Sequence, residues 1–126
     1  MKTITREMLK IYVPYSNKDW MNYKLVRADL TAHHIVKKCD GGKLEFGNVA
    51  LLMPISHEYL HLIENIDKTT YKLINRLFKV FIEQYKEPTK EQREIMEYIL
   101  RDFESSYKDL TNRNGKPLIK DKYLQR

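Results

Sequence analysis

Apolar and polar positions change period along the chain, and the changes mark its elements. From Leu25 to Val36, β-branched and apolar residues predict a strand that runs into the adjacent pair His33-His34. Gly41-Gly42 then punctuates the chain, since adjacent glycines permit backbone angles closed to other residues. Val49-Ala50-Leu51-Leu52-Met53 is a short apolar run bounded by Asn48 and Pro54, which suits a buried strand. Pro54 fits a strand-to-helix junction, and Ser56 is placed to cap the helix that follows. Beyond it the period becomes helical: Tyr71, Ile74, Leu77, Phe78, Phe81, Ile82 and Tyr85 recur at steps of three and four, with Lys72, Arg76, Lys79 and Lys86 between them. Pro88 breaks that pattern. Thr89 with Gln92 makes a capping box for a second long helix, whose apolar stripe runs through Ile95, Ile99, Phe103 and Leu110, flanked by Met96, Leu100 and Tyr107. Two such helices joined by a short break predict a hairpin packed on the strand-rich part.

The ends carry weaker patterns. Up to about Tyr23, Ile11, Val13 and the aromatic residues Tyr12, Tyr15 and Trp20 surround Pro14, Ser16 and Asn17, which predicts a short strand or irregular arm. Residues 112–126 hold Asn114-Gly115, Pro117 and a run of basic residues, and are expected to form a turn followed by an extended or disordered basic tail. Two short strands followed by long helices make an α+β chain, and 126 residues suit one domain. Its expected parts are a core at 25–66, a helical hairpin at 67–111 and the tail. No internal repeat or low-complexity tract interrupts this order.

Charge and cysteine content narrow the setting. Lys plus Arg number 23 against 17 Asp plus Glu, a net charge of +6 with a pI near 9.3. That surplus favours a polyanionic partner, although it equally keeps a protein monodisperse. The single Cys39 can neither close an intramolecular disulfide nor build a thiolate zinc knuckle, so a reducing cytoplasm is expected. No run is long enough for a membrane span, and the start Met1-Lys2-Thr3-Ile4-Thr5-Arg6 lacks the apolar core of a signal peptide.

The candidate chemistry lies between His33 and His61, where all four histidines fall. His57 and His61 are four apart on the expected helix and share a face, a spacing able to hold one metal ion. His33 and His34, as neighbours at a strand end, point to opposite faces, so one can complete a three-histidine set while the other stays free as a base. Converging imidazoles suit a transition metal and a proton transfer near neutral pH.

Strand, glycine loop, strand and helix, with His-His-Ile, Gly-Gly, Asn-x-x-x-Leu and His-x-x-x-His in order, resemble the HNH endonuclease family and its ββα-metal motif over about Leu30 to Glu64. The resemblance implies that His34 is the general base, that His33 and His57 hold the catalytic metal with His61 as third ligand, and that Asn48 ties the loop to the strand so that His34 is oriented. It implies hydrolysis of a DNA phosphodiester, duplex DNA being the expected partner, aided by one divalent ion: Mg, Mn, Zn or Ni. Members generally leave a 5′ phosphate and a 3′ hydroxyl. Lys37, Lys38 and Lys43 lie in the loop beside the site and could contact phosphates. The chain departs from the family where many members have a proline shortly after His-Ile, here Lys37, and where many carry zinc-binding cysteine pairs, here Met53 and Ser56; no structural zinc is expected.

Two alternatives stand beside it. His57-Glu58-Tyr59-Leu60-His61 also fits the His-Glu-x-x-His signature of zinc proteases, with Glu58 as base. The extended protease pattern fails, because Glu64 and Asp67 stand where its downstream Gly and His would fall, and His33, His34 and Asn48 would have no task. Glu58 is then an acidic residue in a first helical turn. The other alternative is a binding module that keeps the fold without the reaction, an inhibitor or regulator docked on DNA or on another protein.

Overall fold

The computed structural model describes residues 3–13 and 16–126, so Pro14 and Tyr15 of the N-terminal stretch lie outside the described residues. The chain is α+β, with α-helices α1 (Thr3–Tyr12), α2 (Pro54–Ile66), α3 (Lys68–Gln84) and α4 (Lys90–Tyr107) around an antiparallel pair, β1 (Thr31–His34) and β2 (Val49–Leu52). The register pairs Thr31 with Leu52 and His34 with Val49. No described helix is long and apolar enough to cross a membrane.

The N-terminal stretch corrects the expected strand or arm: Thr3–Tyr12 is a helix. Thr5, Met8, Leu9 and Tyr12 are its buried positions, steps of three and four compressed into so few turns that the flanking aromatics masked them. The Tyr12 hydroxyl donates to the Ile82 carbonyl at 2.9 Å, joining α1 to the end of α3. Trp20 packs edge-on against Phe81, and its backbone N–H reaches the Leu51 carbonyl at 3.3 Å. β2 therefore has β1 on one edge and a backbone donor on the other, which is why all four of its residues are buried.

The strand expected at Leu25–Val36 is shorter than its pattern. Arg27–Asp29 forms a 3₁₀ turn and the Leu25 N–H is taken by Asn17, so pairing begins at Thr31. Pairing can extend no further than the partner strand, and β2 has only four residues, since the next N–H, that of Met53, is taken by Asp19 and Pro54 has none. Pro54 also corrects the expected cap. It occupies the first helical position, which its fixed φ suits, so α2 starts before Ser56 can flank it. Ser56 is buried and donates instead to Asp19. The Asp19 carboxylate also accepts the N–H groups of Met21, Tyr23 and Met53 at 2.8–2.9 Å, fastening residues 19–23 to the β2–α2 junction.

Asp67 closes α2 and caps α3, its carboxylate accepting from Thr70. α3 ends on Tyr85 in the left-handed region, three residues before Pro88, and the Thr89–Gln92 capping box opens α4. The buried face of α4 is Met96, Ile99, Leu100 and Phe103, while Ile95 and Leu110, expected in its stripe, and Tyr85 of the preceding stripe are exposed.

Residues 112–126 correct the expectation of a loose basic tail. Ile119 and Tyr123 are buried, Tyr123 stacks on Tyr59 of α2 at 4.6 Å between ring centroids, and Asp121–Leu124 is a 3₁₀ turn. The Arg126 side chain is 3 % exposed and pairs with Glu97 and Glu104 of α4. The basic residues that read as a solvated run include the group that anchors the segment.

Candidate functional site

The β1–β2 connection is built around Asn48. Its Oδ1 accepts from Val36 N–H at 2.6 Å, and its Nδ2 donates to the carbonyls of Val36 and Lys43, both at 3.0 Å. One buried amide thus uses both its donor and acceptor capacity to close the loop directly behind His34. The glycines have separate roles there. Gly41 takes a left-handed φ of 90°, whereas Gly42 is needed for space: a Cβ on it would run into the Val36 carbonyl and lie 2.8 Å from Asn48 Nδ2.

All four histidines line one open cleft of about 300 Å³, with Lys37, Lys38, Glu64 and Tyr71 among the other walls. β1 supplies His33 and His34, and one face of α2 supplies His57 and His61. The ring centroids of His33 and His57 are 5.4 Å apart, of His57 and His61 5.0 Å, and of His33 and His61 6.4 Å. Imidazoles bound to one tetrahedral ion at about 2.0–2.1 Å would have centroids roughly 5 Å apart. Among the described residues no three His, Cys, Asp or Glu groups already converge on a common point, so loading an ion requires the rings to turn inward.

The hydrogen bonds behind the rings show which nitrogens are available for that. Thr31 Oγ1 donates to the Leu52 carbonyl at 2.7 Å, so toward His57 Nδ1, 3.1 Å away, it can only accept; the proton is therefore on Nδ1 and Nε2 keeps its lone pair. His33 Nε2 lies 3.1 Å from the Asn75 Oδ1 acceptor, which puts the proton on Nε2 and leaves Nδ1 open. His61 Nδ1 is 3.4 Å from the Glu64 carboxylate, with the same consequence for its Nε2. Each of the three rings is backed by an oxygen acceptor and has one unused nitrogen, the arrangement that orients metal-ligating histidines. The residues present fit a divalent transition metal.

Electrostatics favour the neutral ring at His33 and His57. Burial pulls His33 down to about 4, the Asn75 bond opposing and the neighbouring imidazoles adding to the shift. Burial and then His61 and His34 lower His57. For Glu64, burial acts to raise the carboxyl, but the Lys37 hydrogen bond and the His61 contact bring it below its ordinary value. His34 has no hydrogen-bond or ion-pair partner among the described residues and is half-buried, free to meet a ligand in the cleft.

The three loop lysines separate. Lys37 is ion-paired with Glu64, Lys38 lines the cleft, and Lys43 is exposed outside its walls. Glu58 lies in the second turn of α2, not the first, and faces the C-terminal segment: it accepts from the Tyr123 hydroxyl at 2.7 Å and from Lys122 Nζ at 2.9 Å. Sequence reasoning missed Thr31, Glu64, Tyr71 and Asn75. Thr31 precedes His33 by two on the same strand and Glu64 follows His57 and His61 by seven and three on the same helix, so both were detectable as same-face neighbours. Tyr71 and Asn75 come from α3 and had no signal beyond their place in its pattern. The Tyr71 hydroxyl is buried and makes no hydrogen bond among the described residues; burial raises its pKa, and the Asn75 amide is near enough only to offset part of that.

The chain matches no protein-family profile, no curated protein and no solved structure.

Proposed function

We propose that this chain is a metal-dependent HNH endonuclease, its β1, β2 and α2 forming a ββα-metal motif that hydrolyses phosphodiester bonds of DNA in a cytoplasmic setting. The observation that carries the proposal is the trio His33, His57 and His61, each with one nitrogen held by an oxygen acceptor and the other open to the cleft that His34 also lines. In this reading the trio holds a divalent cation, which when bound supplies Lewis-acid stabilisation of charge building on the phosphoryl and leaving oxygens. His34, without a partner of its own, takes the proton of the attacking water, and an imidazole suits that transfer near neutral pH. Asn48 acts by position: its three bonds fix the backbone just beyond His34, so the base is presented at one angle. Lys38 is the loop lysine best placed for a phosphate, since Lys37 already neutralises Glu64.

The protease alternative is disfavoured by Glu58, whose carboxylate is engaged by Tyr123 and Lys122 instead of serving the cleft. The test is incubation of metal-free protein with supercoiled plasmid. Nicking or linearisation is expected on adding manganese, magnesium, nickel or zinc and is expected to stop with chelator. Absence of cleavage of duplex DNA, single-stranded DNA and RNA under all four ions would overturn the nuclease and leave a binding module.

A further inference from the structure

A second cleft, about 320 Å³, lies along α3 and shares Tyr71 with the histidine cleft. Its cations are Lys72, Arg76 and Lys79. Lys79 is engaged by the Gly47 carbonyl at 2.6 Å, but Lys72 and Arg76 are exposed and have no ion-pair or hydrogen-bond partner among the described residues. They stand four residues apart, hence on one face of the helix about 6 Å apart along its axis. Tyr71 lines both clefts, and its hydroxyl is buried with no hydrogen-bond partner among the described residues. A buried hydroxyl left unpaired costs free energy, and a phosphate oxygen at the junction would satisfy it.

We propose that Lys72 and Arg76 continue the histidine cleft into a track for the phosphates of the DNA strand flanking the cut, with the Tyr71 hydroxyl donating to the phosphate at the junction. The inference rests on the nuclease reading and extends it: beyond the phosphate that Lys38 meets at the cleft, the strand runs over α3 and not further along the glycine loop, where Lys37 is neutralised and Lys43 stands apart. The complementarity is of charge, since a DNA strand brings a row of anions to a face whose cations have no counter-ion on the protein. Asn75 makes the track and the cut site one unit, because it lines the second cleft while holding His33 in the first.

The experiment is a salt titration of binding to a fluorescein-labelled DNA duplex in chelator, followed by anisotropy, beside plasmid cleavage with manganese. Lys72→Ala/Arg76→Ala is expected to lower affinity roughly 10- to 100-fold near ~0.1 M salt and to reduce the slope of log K against log salt by about 2. Lys90→Ala/Lys108→Ala removes the same charge from residues that line other clefts and should leave both quantities close to wild type. Tyr71→Phe should weaken binding without changing the slope, because a hydroxyl displaces no counter-ion. Equal losses in the two double variants would overturn the track, and would leave the nuclease standing where the wild-type protein cleaves. A wild-type protein that neither binds nor cleaves DNA would overturn both. Weakened binding in the α3 variant of a protein that never cleaves would uphold the track and sink the nuclease.

Discussion

Two polar clusters in this protein, one around Arg126 and one around the histidines, are built on opposite rules. Around Arg126, each guanidinium nitrogen donates to Glu97, Glu104 or the Tyr123 carbonyl, and Glu104 also accepts from the Tyr59 hydroxyl at 2.7 Å. Charge meets charge and few hydrogen-bonding sites are left over. Around His33, His57 and His61 each ring is held from behind by an oxygen and keeps one nitrogen without a partner. Polar clustering alone therefore does not identify a functional site. The saturated cluster fastens the C-terminal segment to α4, and the unsaturated one is where a ligand has something to gain.

The widest separation between the clusters should come from deleting one group in each. His34→Ala is expected to lose on the order of 10²- to 10⁴-fold in plasmid cleavage, the contribution of a positioned proton acceptor, with unfolding midpoint and metal binding unchanged. Arg126→Ala should do the reverse. It leaves two carboxylates facing each other near Tyr59, and denaturant titration should show a loss of roughly 2–4 kcal/mol, below the full value for a buried pair because Glu97 is partly exposed. Cleavage per folded molecule should hold. Full activity in His34→Ala would mean that the base lies elsewhere.

A smaller effect is expected within the loop. Gly42→Ala forces a methyl against the Val36 carbonyl and the Asn48 amide, and should cost on the order of 2 kcal/mol together with cleavage, since the same contact orients His34. Gly47→Ala meets nothing within 4 Å and should be neutral in both assays. Equal behaviour of the two variants would show that Asn48 does not set the loop.

The smallest effect is graded with acid. Burial raises the Glu97 carboxyl, but the Arg126 hydrogen bonds and charge carry it below its ordinary value in the folded chain. A depressed folded pKa gives stability that is complete above the unfolded value, about 4.3, and is lost as pH falls through the folded one. Midpoints measured across pH 6 to 2 should therefore fall only at the acid end. The Arg126→Ala variant should lack that part of the decline.

Much of the interior was legible because period encodes it: β2, the α3 face through Phe78 and Phe81, and the Thr89 cap follow from spacing alone. The four histidines were legible because their residue type is scarce and their order distinctive. What stood outside reach were contacts between segments far apart in the chain. Nothing near Arg126 announces Glu97, nothing near Ser56 announces Asp19, and the short α1 buries too few turns to outweigh the strand-like residues after it. A helix with its own cap can be read locally, whereas a tail held by a salt bridge can be read only with its partner.

The bond from Asn75 to His33 also limits how the histidine cluster could be transplanted. A segment cut from Thr31 to Ile66 would carry every histidine, Thr31, Asn48 and Glu64, and would look like a self-sufficient cassette. It would leave behind the one acceptor that comes from α3, so the His33 ring would lose the contact that fixes its tautomer and angle. Grafting the chemistry onto another scaffold means carrying a third helix with the hairpin, and the smallest portable unit ends after Asn75, not at the last histidine.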